Sequence, residues 1–417
     1  MVVPRAVKAL SAIASLATAQ EPPFTLPTPT GRAAVGTTSW VLADSTRRES
    51  FSNSGAARSV EVVAWYPTNA SPSASSRAPY LREGVVEAAT FATAMRKPGA
   101  FDHLAAVETH SSMDAAPSGR SKSLPVLVFS HGYTGLVSAY TALLEDLASH
   151  GYIVLSVAHS YEAVAVRQSD GSVATMLDSA GSMRPGILDV FGEWRDEDST
   201  MARVTRAKTE SEQLRILKTY IDGVPKTNAV IDRWVADTKF ALDQFARASD
   251  GIAGELNRRA DLDRIGVLGH SMGGVVAGEF CLRDTRCRAG LNLDGIPQSG
   301  SMIASRMKRP FMMVYSARPG RLGASDVIYR RAASRYFRVD VDDTRHVDFS
   351  DMIFWGGPLK AAGASGSIAP NRAVELTRLI VRQYFDQELQ GVPSPLLAGT
   401  LRLPDARVRK PTLTRGP

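Results

Sequence analysis

The chain is predicted to form one large α/β domain with a mostly parallel central sheet and helices on both faces. From Leu124 onward, short strands that are apolar throughout alternate with segments of helical periodicity, which is typical of a parallel sheet buried on both sides. A sharp strand–turn–helix stretch at residues 265–278 lies within this alternation. A length of 417 residues permits two average domains, but the continuous alternation favours one domain with insertions.

The composition is that of a globular protein with an ample core, since 44% of the residues are hydrophobic and 22% are charged. The formal net charge of +7 is concentrated at the two ends: residues 1–19 carry +2 and residues 401–417 carry +4, which leaves +1 for the body. A body so close to neutral lacks the basic surface of a nucleic-acid-binding protein. We therefore expect no nucleic-acid partner.

Residues 1–19 are predicted to be a secretory signal peptide. Arg5 and Lys8 precede the apolar stretch 9–16, and Ala17-Thr-Ala19 suits cleavage before Gln20. The alternative is a frayed amphipathic N-terminus. No later run of about 18 apolar residues occurs, so no membrane-spanning helix is predicted, and the protein is expected to be secreted or periplasmic.

The predicted elements follow in chain order after an extended lead-in at residues 20–36. Two early strands, 37–42 and 59–66, are rich in β-branched and aromatic residues. The segment 67–123 stays unassigned apart from a helical pattern at 85–95. The alternation then predicts strands at 125–130, 152–157, 264–268, 289–293, 310–315 and 336–340, and helices at 137–150, 229–248, 273–278, 325–334 and 373–387.

We expect the α/β domain to span residues 31–390. Within it, residues 181–228 form a charged, mainly helical insertion that is either a lid or pocket wall or a solvated surface decoration. The basic, Pro-rich tail at 391–417 either wraps the surface or stays disordered. Cys281 and Cys287 form a local disulfide in an exported protein or remain two buried thiols.

The stretch Gly269-His-Ser-Met-Gly273 predicts a nucleophile at Ser271. It follows an apolar strand and opens a small-residue helix, which is the arrangement of a nucleophile elbow. Glycines are needed because a sharp turn leaves no room for side chains beside the serine. The five-residue pattern also occurs by chance, and the alternative interpretation is a glycine-rich turn with an ordinary serine. The prediction therefore depends on the strand before the pattern and the helix after it.

A serine hydroxyl needs a base, and the base needs an acid that orients it. In elbow-type hydrolases the chain order is serine, acid, histidine, and His346 is the only histidine after Ser271. Asp294 and Asp326 are the two remaining candidates for the acid between Ser271 and His346. Asp294 is favoured because it ends a predicted strand at the sheet edge, whereas Asp326 is typical of a helix cap.

Two backbone N–H groups are predicted to bind the oxyanion. One belongs to Met272, directly after the nucleophile, and the other to Tyr133 in the loop after strand 125–130. His131 and His270 flank these turns and are expected to be structural, since the reaction needs one base.

These residues together resemble a known family. The motifs His131-Gly-Tyr133, Gly269–Gly274, Leu291–Pro297 and His346–Asp351 are similar to those of the plasma-type platelet-activating factor acetylhydrolases and their bacterial relatives. The resemblance runs discontinuously from about residue 31 to residue 387. It implies an α/β-hydrolase fold, cleavage of esters, often short sn-2 acyl groups of phospholipids, without a metal or cofactor, and an acid at the position of Asp294.

The chain departs from the family pattern at two places, because Met272 replaces a phenylalanine of the animal enzymes and the insertion 181–228 has no counterpart. The leading expectation is a serine carboxylic-ester hydrolase that acts on a small-molecule or lipid ester and contacts a lipid surface peripherally. A polyester or cutin hydrolase is the alternative within hydrolases. A non-catalytic binding protein that keeps the fold is the alternative outside them.

Overall fold

The computed structural model describes residues 23–51, 55–119 and 123–413. The predicted signal peptide at 1–19 lies outside the described residues. The strands are β1 (Ala34–Arg48), β2 (Ala57–Thr68), β3 (Arg77–Pro79), β4 (Glu108–Met113), β5 (Leu124–Ser130), β6 (Ile153–His159), β7 (Ala165–Arg167), β8 (Val173–Thr175), β9 (Ala260–His270), β10 (Cys287–Leu293), β11 (Pro310–Tyr315), β12 (Arg335–Val341) and β13 (Ala406–Leu413).

Helices separate most of these strands. They are α1 (Val85–Ala94), α2 (Thr141–Ser149), α3 (Pro185–Glu193), α4 (Glu197–Arg206), α5 (Glu210–Asp222), α6 (Pro225–Arg247), α7 (Gly251–Asn257), α8 (Met272–Arg283), α9 (Ser301–Ala304), α10 (Asp326–Ala332), α11 (Gly357–Ala361), α12 (Pro370–Gln390) and α13 (Pro395–Ala398). In the part of the chain that the structure describes, none of these helices is long and apolar enough to cross a bilayer.

One large sheet organises the domain, with the strand order β13-β12-β11-β10-β9-β5-β6-β2-β1-β4-β3. The six strands from β12 to β6 are mutually parallel, and antiparallel pairs flank them at β6–β2 and β12–β13. The carboxyl ends of the parallel strands therefore meet at one edge, where polar groups from separate segments come together.

The parallel strands are covered by helices, as their apolar sequences require. α6 and α8 pack against each other and against central strands, and α2 and α12 form a second such pair. β6 is buried along its whole length, and β5 is buried beyond Leu124. The predicted α/β class with a mostly parallel sheet is confirmed.

Several boundaries differ from the sequence prediction. The helix expected at 137–150 is a short 3₁₀ turn at Ser138–Tyr140 followed by α2. The helix expected from residue 229 begins at Pro225, because proline at the first helical position needs no N–H partner. The unassigned segment 67–123 supplies the edge strands β3 and β4 as well as α1.

The tail contains an element that composition did not predict. β13 pairs antiparallel with β12 and closes that edge of the sheet. Arg407 and Arg409 form ion pairs with Asp342 and Asp340 respectively, so the basic character of the tail complements acidic residues at the end of β12. Residues 406–413 of the tail therefore form an edge strand of the sheet.

Cys281 and Cys287 are joined in a disulfide, with their Cα atoms 5.0 Å apart. The bridge connects the C-terminal part of α8 to the first residue of β10. Of the two alternatives that the sequence left open, the structure contains the disulfide.

Candidate active site

Ser271 lies in the turn between β9 and α8 with φ 56° and ψ −124°. The left-handed φ lets the chain reverse direction within one residue. A Cβ atom at Gly269 would lie 2.2 Å from the carbonyl carbon of Gly273, and one at Gly273 would lie 2.0 Å from the carbonyl oxygen of Ser130. Both glycines are therefore required by the close approach of the β9–α8 turn to β5.

Asp294 and His346 are brought into direct contact at the same sheet edge. His346 Nδ1 donates to Asp294 Oδ2 at 2.8 Å, and Ser316 donates its N–H and its hydroxyl to the carboxylate at 2.8 Å each. Burial acts to raise the pKa of Asp294, but the hydrogen bonds from His346 and Ser316 outweigh it, so the pKa is lowered. The ionised carboxylate holds His346 with Nδ1 protonated, which leaves Nε2 able to accept a proton.

Asp326, the other acid left open by the sequence, has different partners. Its Oδ1 accepts hydrogen bonds from the hydroxyls of Tyr315, at 2.9 Å, and Tyr336, at 2.6 Å, while Oδ2 accepts from Arg338 at 2.6 Å. It is the first residue of α10, but its carboxylate serves this network rather than the helix N-terminus. The structure thus brings Asp294, and not Asp326, to His346.

The two predicted oxyanion donors flank Ser271. A Cβ atom at Gly132 would lie 3.3 Å from Ser271 Cβ, so the Gly132–Tyr133 peptide lies against the elbow. Within the described part of the chain, the Tyr133 N–H donates to no protein acceptor. Met272 is the first residue of α8, and its N–H is left without an intrahelical partner by position. Among the described residues, neither N–H group is committed to a protein acceptor.

His270 connects the loop of Gly132 to the loop of His346. The Gly132 N–H donates to the Tyr140 hydroxyl at 3.2 Å, and that hydroxyl lies 2.8 Å from His270 Nδ1. His270 Nε2 lies 2.8 Å from the carbonyl oxygen of His346, so Nε2 carries the proton and Nδ1 accepts. Burial lowers the pKa of His270 to about 3. The ring is therefore neutral and fully engaged, which suits a positioning role.

His131 is also engaged through both ring nitrogens. Nδ1 lies 2.7 Å from the carbonyl oxygen of Gly132, and Nε2 accepts the N–H of His159 at 3.3 Å. Burial lowers the pKa of His131 to about 3. Both ring nitrogens of His131 are thus occupied, and the ring holds the loop of Gly132 in place.

The loop that carries His346 is anchored from behind by Asp351. Its Oδ2 accepts the backbone N–H of Ala142, in the first turn of α2, at 3.1 Å, and the Tyr80 hydroxyl approaches to 3.5 Å. Burial raises the pKa of Asp351 to about 8. The carboxyl group is consequently protonated in the folded state over a range in which it is ionised in the unfolded chain.

This anchor predicts a pH-dependent stability. The folded pKa of Asp351 lies above the unfolded value of about 3.9, so its contribution falls as pH rises from about 4 to about 8. Asp351→Asn keeps an acceptor for Ala142 but does not titrate. We expect the free energy of unfolding of the variant, relative to the wild type, to rise across this window by on the order of a few kcal/mol.

Denaturant unfolding of both proteins at pH 5 and pH 8 measures this difference. Other buried acids such as Glu87, whose pKa burial also raises to about 8, are common to both proteins and cancel. Parallel stability profiles across the window would contradict the prediction.

A cavity of about 290 Å³ opens beside Ser271 and His346, at the lower end of the roughly 300–1,000 Å³ that is usual for ligand sites. Trp194, Met272 and Ile296 form its apolar wall, and charged and amide side chains form the rest. A larger cavity of about 720 Å³ lies along residues 343–370 and is lined by none of the predicted site residues. The smaller cavity is the relevant one because Ser271, Asp294 and His346 line it.

The charged wall of the smaller cavity comes from two segments far apart in sequence. α4 supplies Glu197 and Asp198, and the loop after β11 supplies Arg318 and Arg321. Glu197 and Asp198 belong to the predicted insertion at 181–228, for which the sequence left a pocket wall and a solvated surface as alternatives. Both residues line the cavity. The sequence analysis did not predict Arg318 and Arg321 as site residues. The signal that could have identified them is the Arg-Pro-Gly-Arg turn shortly after a parallel strand, because ligands bind at the edge formed by the carboxyl ends of such strands.

The described residues contain no cluster of three or more His, Cys, Asp or Glu side chains placed to hold a metal ion. At the cavity, Ser271 presents a hydroxyl and His346 an imidazole, groups that suit nucleophilic attack and proton transfer.

A family model described as platelet-activating factor acetylhydrolase, isoform II, matches residues 19–390. The chain belongs to this family. The resemblance inferred from the four sequence motifs is thereby confirmed, and it extends over most of the described residues.

Curated relatives and a solved structure agree with this membership. The platelet-activating factor acetylhydrolase of dog is 28% identical over 313 residues, covering 68% of this chain and 64% of the dog protein. That of cattle is 29% identical over 202 residues, covering 46% and 40%. The matches thus span less than two thirds of these relatives' own length.

A ferulic acid esterase from Streptomyces cinnamoneus superimposes with a TM-score of 0.67 at 25% identity, covering 93% of this chain and 99% of the esterase. The predicted α/β-hydrolase fold is confirmed by this likeness.

Proposed function

We propose that the protein is a serine carboxylic-ester hydrolase that cleaves short-chain or phospholipid acyl esters through Ser271, His346 and Asp294. One observation carries the proposal: the 2.8 Å contact between His346 Nδ1 and Asp294 Oδ2 lies in the cavity that also exposes Ser271. A nucleophile, a base and an orienting acid at one sheet edge constitute the machinery of acyl transfer.

In the first half of the proposed reaction, Ser271 Oγ attacks the acyl carbonyl while His346 Nε2 takes the hydroxyl proton. The charge on the resulting oxyanion is stabilised by the N–H groups of Met272 and Tyr133. The bond to the alcohol then breaks, and the imidazolium returns its proton to the leaving oxygen. The alcohol departs and the acyl group remains on Ser271.

In the second half, His346 removes a proton from a water molecule, which attacks the acyl-enzyme. The tetrahedral intermediate collapses, the carboxylic acid leaves, and Ser271 regains its proton. Throughout, the Asp294 carboxylate stays ionised and stabilises the imidazolium as it forms, since its pKa is lowered by the hydrogen bonds described above.

The size of the cavity supports a small acyl group. About 290 Å³ accommodates a short chain far better than a long one, and the apolar portion is restricted to three side chains. The named relatives hydrolyse platelet-activating factor and the structural neighbour is a ferulic acid esterase. Short-chain lipid esters and esters of small aromatic acids are therefore the substrates to test.

The test is a panel of p-nitrophenyl esters from acetyl to palmitoyl, together with a short-chain phosphatidylcholine and methyl ferulate. We expect kcat/KM to fall by at least about tenfold between butyrate and palmitate, because the excess methylenes find no pocket. A preference for palmitate would contradict the small acyl pocket. Methyl ferulate cleaved faster than every p-nitrophenyl ester would instead favour an ester of an aromatic acid as substrate.

The same panel, with an insoluble polyester added, separates the alternative functions. Turnover of an insoluble polyester without activity on the short-chain phospholipid would favour a polyester or cutin hydrolase. A protein that cleaves nothing and does not react with a fluorophosphonate probe would be a binding protein that keeps the fold.

We further propose that the protein is exported. The Cys281–Cys287 disulfide supports an oxidising compartment, and the pattern at residues 1–19 supports a signal peptide. Contact with a lipid surface is part of the same proposal and is supported by the exposed side chains of Leu188 and Phe191 on α3. N-terminal sequencing of the exported protein tests the cleavage before Gln20.

A further inference from the structure

The turn after β11 presents two arginines to the cavity of Ser271. Arg318-Pro319-Gly320-Arg321 closes with the Arg321 N–H donating to the Arg318 carbonyl at 3.2 Å, and Gly320 has φ 74°. Proline at the second position and a left-handed glycine at the third are the features of a type II turn. The turn begins two residues after Ser316, which binds Asp294, so both arginines are placed by a rigid element of the site.

Arg321 has a structural role. Its side chain is only 7% exposed and pairs with both Glu197 and Asp198 of α4. Glu197 in turn accepts hydrogen bonds from the hydroxyl of Tyr220 at 3.0 Å and from Gln298 at 2.9 Å. The charges of Arg321 and Glu197 thus satisfy one another, and the pair joins the turn to the helical insertion.

Arg318 is far less satisfied. Among the described residues, its guanidinium, which has five N–H donors, hydrogen-bonds to a protein group only at Asp198 Oδ1, at 3.2 Å. That oxygen already accepts from Arg321 Nε at 2.5 Å, and the Asp198 side chain is 72% exposed, so the pair contributes little. The Arg318 side chain is itself 24% exposed.

The surroundings of Arg318 disfavour an uncompensated cation. Burial, followed by the charge of Arg321, lowers the pKa of Arg318, and the attraction of Asp294 only partly offsets this. The Asp294 carboxylate is occupied by His346 and Ser316. The carboxylates on the cavity wall are therefore committed elsewhere or shared, whereas Arg318 has donors to spare.

We propose that Arg318 determines specificity by binding an anionic group, a carboxylate or a phosphate, on the ester that Ser271 attacks. Several free donors on a rigid turn match the acceptor geometry of such groups. The anion can belong to the acyl chain or to the alcohol, and the chemistry that Arg318 recognises is the same. This inference rests on the proposed hydrolase function and specifies its substrate class.

Two pairs of esters that differ in charge test it. The acyl-side pair is the p-nitrophenyl monoester of adipic acid and its neutral methyl ester. The alcohol-side pair is butyrylglycerol 3-phosphate and butyrylglycerol, followed by release of butyrate. We expect the wild type to prefer the charged member of at least one pair, and the pair that shows the preference identifies the side of the anion.

Arg318→Gln should reduce that preference by about 10- to 100-fold, as expected for the loss of a charge-assisted contact, chiefly through KM. The rate with the neutral member should change by less than about threefold. Arg318→Lys should retain part of the preference, because it keeps the charge but not the fork. Arg331→Gln is the matched control: it removes an equal charge from α10, where the side chain is 52% exposed.

The outcomes are distinct. The assignment of Arg318 is overturned if the wild type prefers the charged member of neither pair. It is also overturned if Arg318→Gln leaves the preference intact, or if Arg331→Gln reduces the preference equally. In each of these cases the hydrolysis of neutral esters and the phosphonate labelling of Ser271 persist, so the proposed hydrolase stands. Absence of hydrolysis and labelling in the wild type overturns the proposed hydrolase, and the assignment with it.

Discussion

Replacement of Ser271 by alanine is expected to lower kcat for a short-chain ester by about 10⁴- to 10⁶-fold, the range seen when a triad nucleophile is removed. The loss is expected because no oxygen remains to form the acyl-enzyme, whereas the proposed oxyanion donors, the N–H groups of Met272 and Tyr133, are unchanged. The fold should persist, since the Ser271 N–H donates to the Leu293 carbonyl at 2.8 Å in either variant. Single-turnover and steady-state hydrolysis measure the effect.

A fluorophosphonate probe provides an independent readout. The wild type should be labelled once, on the peptide that contains Ser271, and the alanine variant should not react. Ser301→Ala is the control, because this partly buried serine on α9 donates to Glu279 and lies outside the proposed machinery. Full hydrolysis by Ser271→Ala would refute the proposed nucleophile.

Asp294→Asn should lower kcat by about 10³- to 10⁴-fold with little change in KM, because the amide stabilises the wrong tautomer of the base. In the wild type, Asp294 Oδ2 accepts the proton of His346 Nδ1. If the asparagine presents its amide N–H₂ group to His346, Nδ1 must accept that hydrogen bond and is therefore unprotonated, or the imidazole ring must rotate away. A kcat profile from pH 5 to pH 9 measures the loss against the wild type.

Asp326→Asn is the matched control for this substitution. Asp326 is also a well-bonded carboxylate near the sheet edge, held by Tyr315, Tyr336 and Arg338. Its replacement should weaken that network and lower the unfolding midpoint, yet leave kcat within about threefold, as for a site without contact to the reacting atoms. The opposite result for the two variants would transfer the role of the acid to Asp326.

The parallel centre of the sheet and the elbow could be predicted because their signals are local. Strands such as β5 and β6 are apolar throughout, and burial on both faces requires that pattern wherever the strand lies. The elbow needs Gly269 and Gly273 within five residues. His346 followed from chain order, since it is the only histidine beyond Ser271.

The edges of the sheet could not be predicted in the same way. β3 has three residues, and β13 contains three arginine or lysine residues and a proline, a composition that also describes a loop. An edge strand is specified by its partner rather than by its own periodicity. The acidic residues in β12 and directly after it that pair with Arg407 and Arg409 lie more than sixty positions earlier.

The charged wall of the cavity could not be predicted from the sequence for a related reason. Arg321 and Glu197 are 124 positions apart, and the sequence around either residue gives no indication that the other is its partner. A charged run in a predicted insertion is compatible with solvent or with a pocket. Only the packing of α4 against the turn after β11 distinguishes the two.

The Cys281–Cys287 bridge has a practical consequence for anyone who prepares the enzyme. It closes the connection between the helix that follows Ser271 and the strand that precedes Asp294. Protein made in a reducing cytosol would carry two thiols there, whereas exported protein would carry the bond. Batches of identical sequence would then differ in resistance to heat, and rates compared between them would partly reflect the compartment of synthesis.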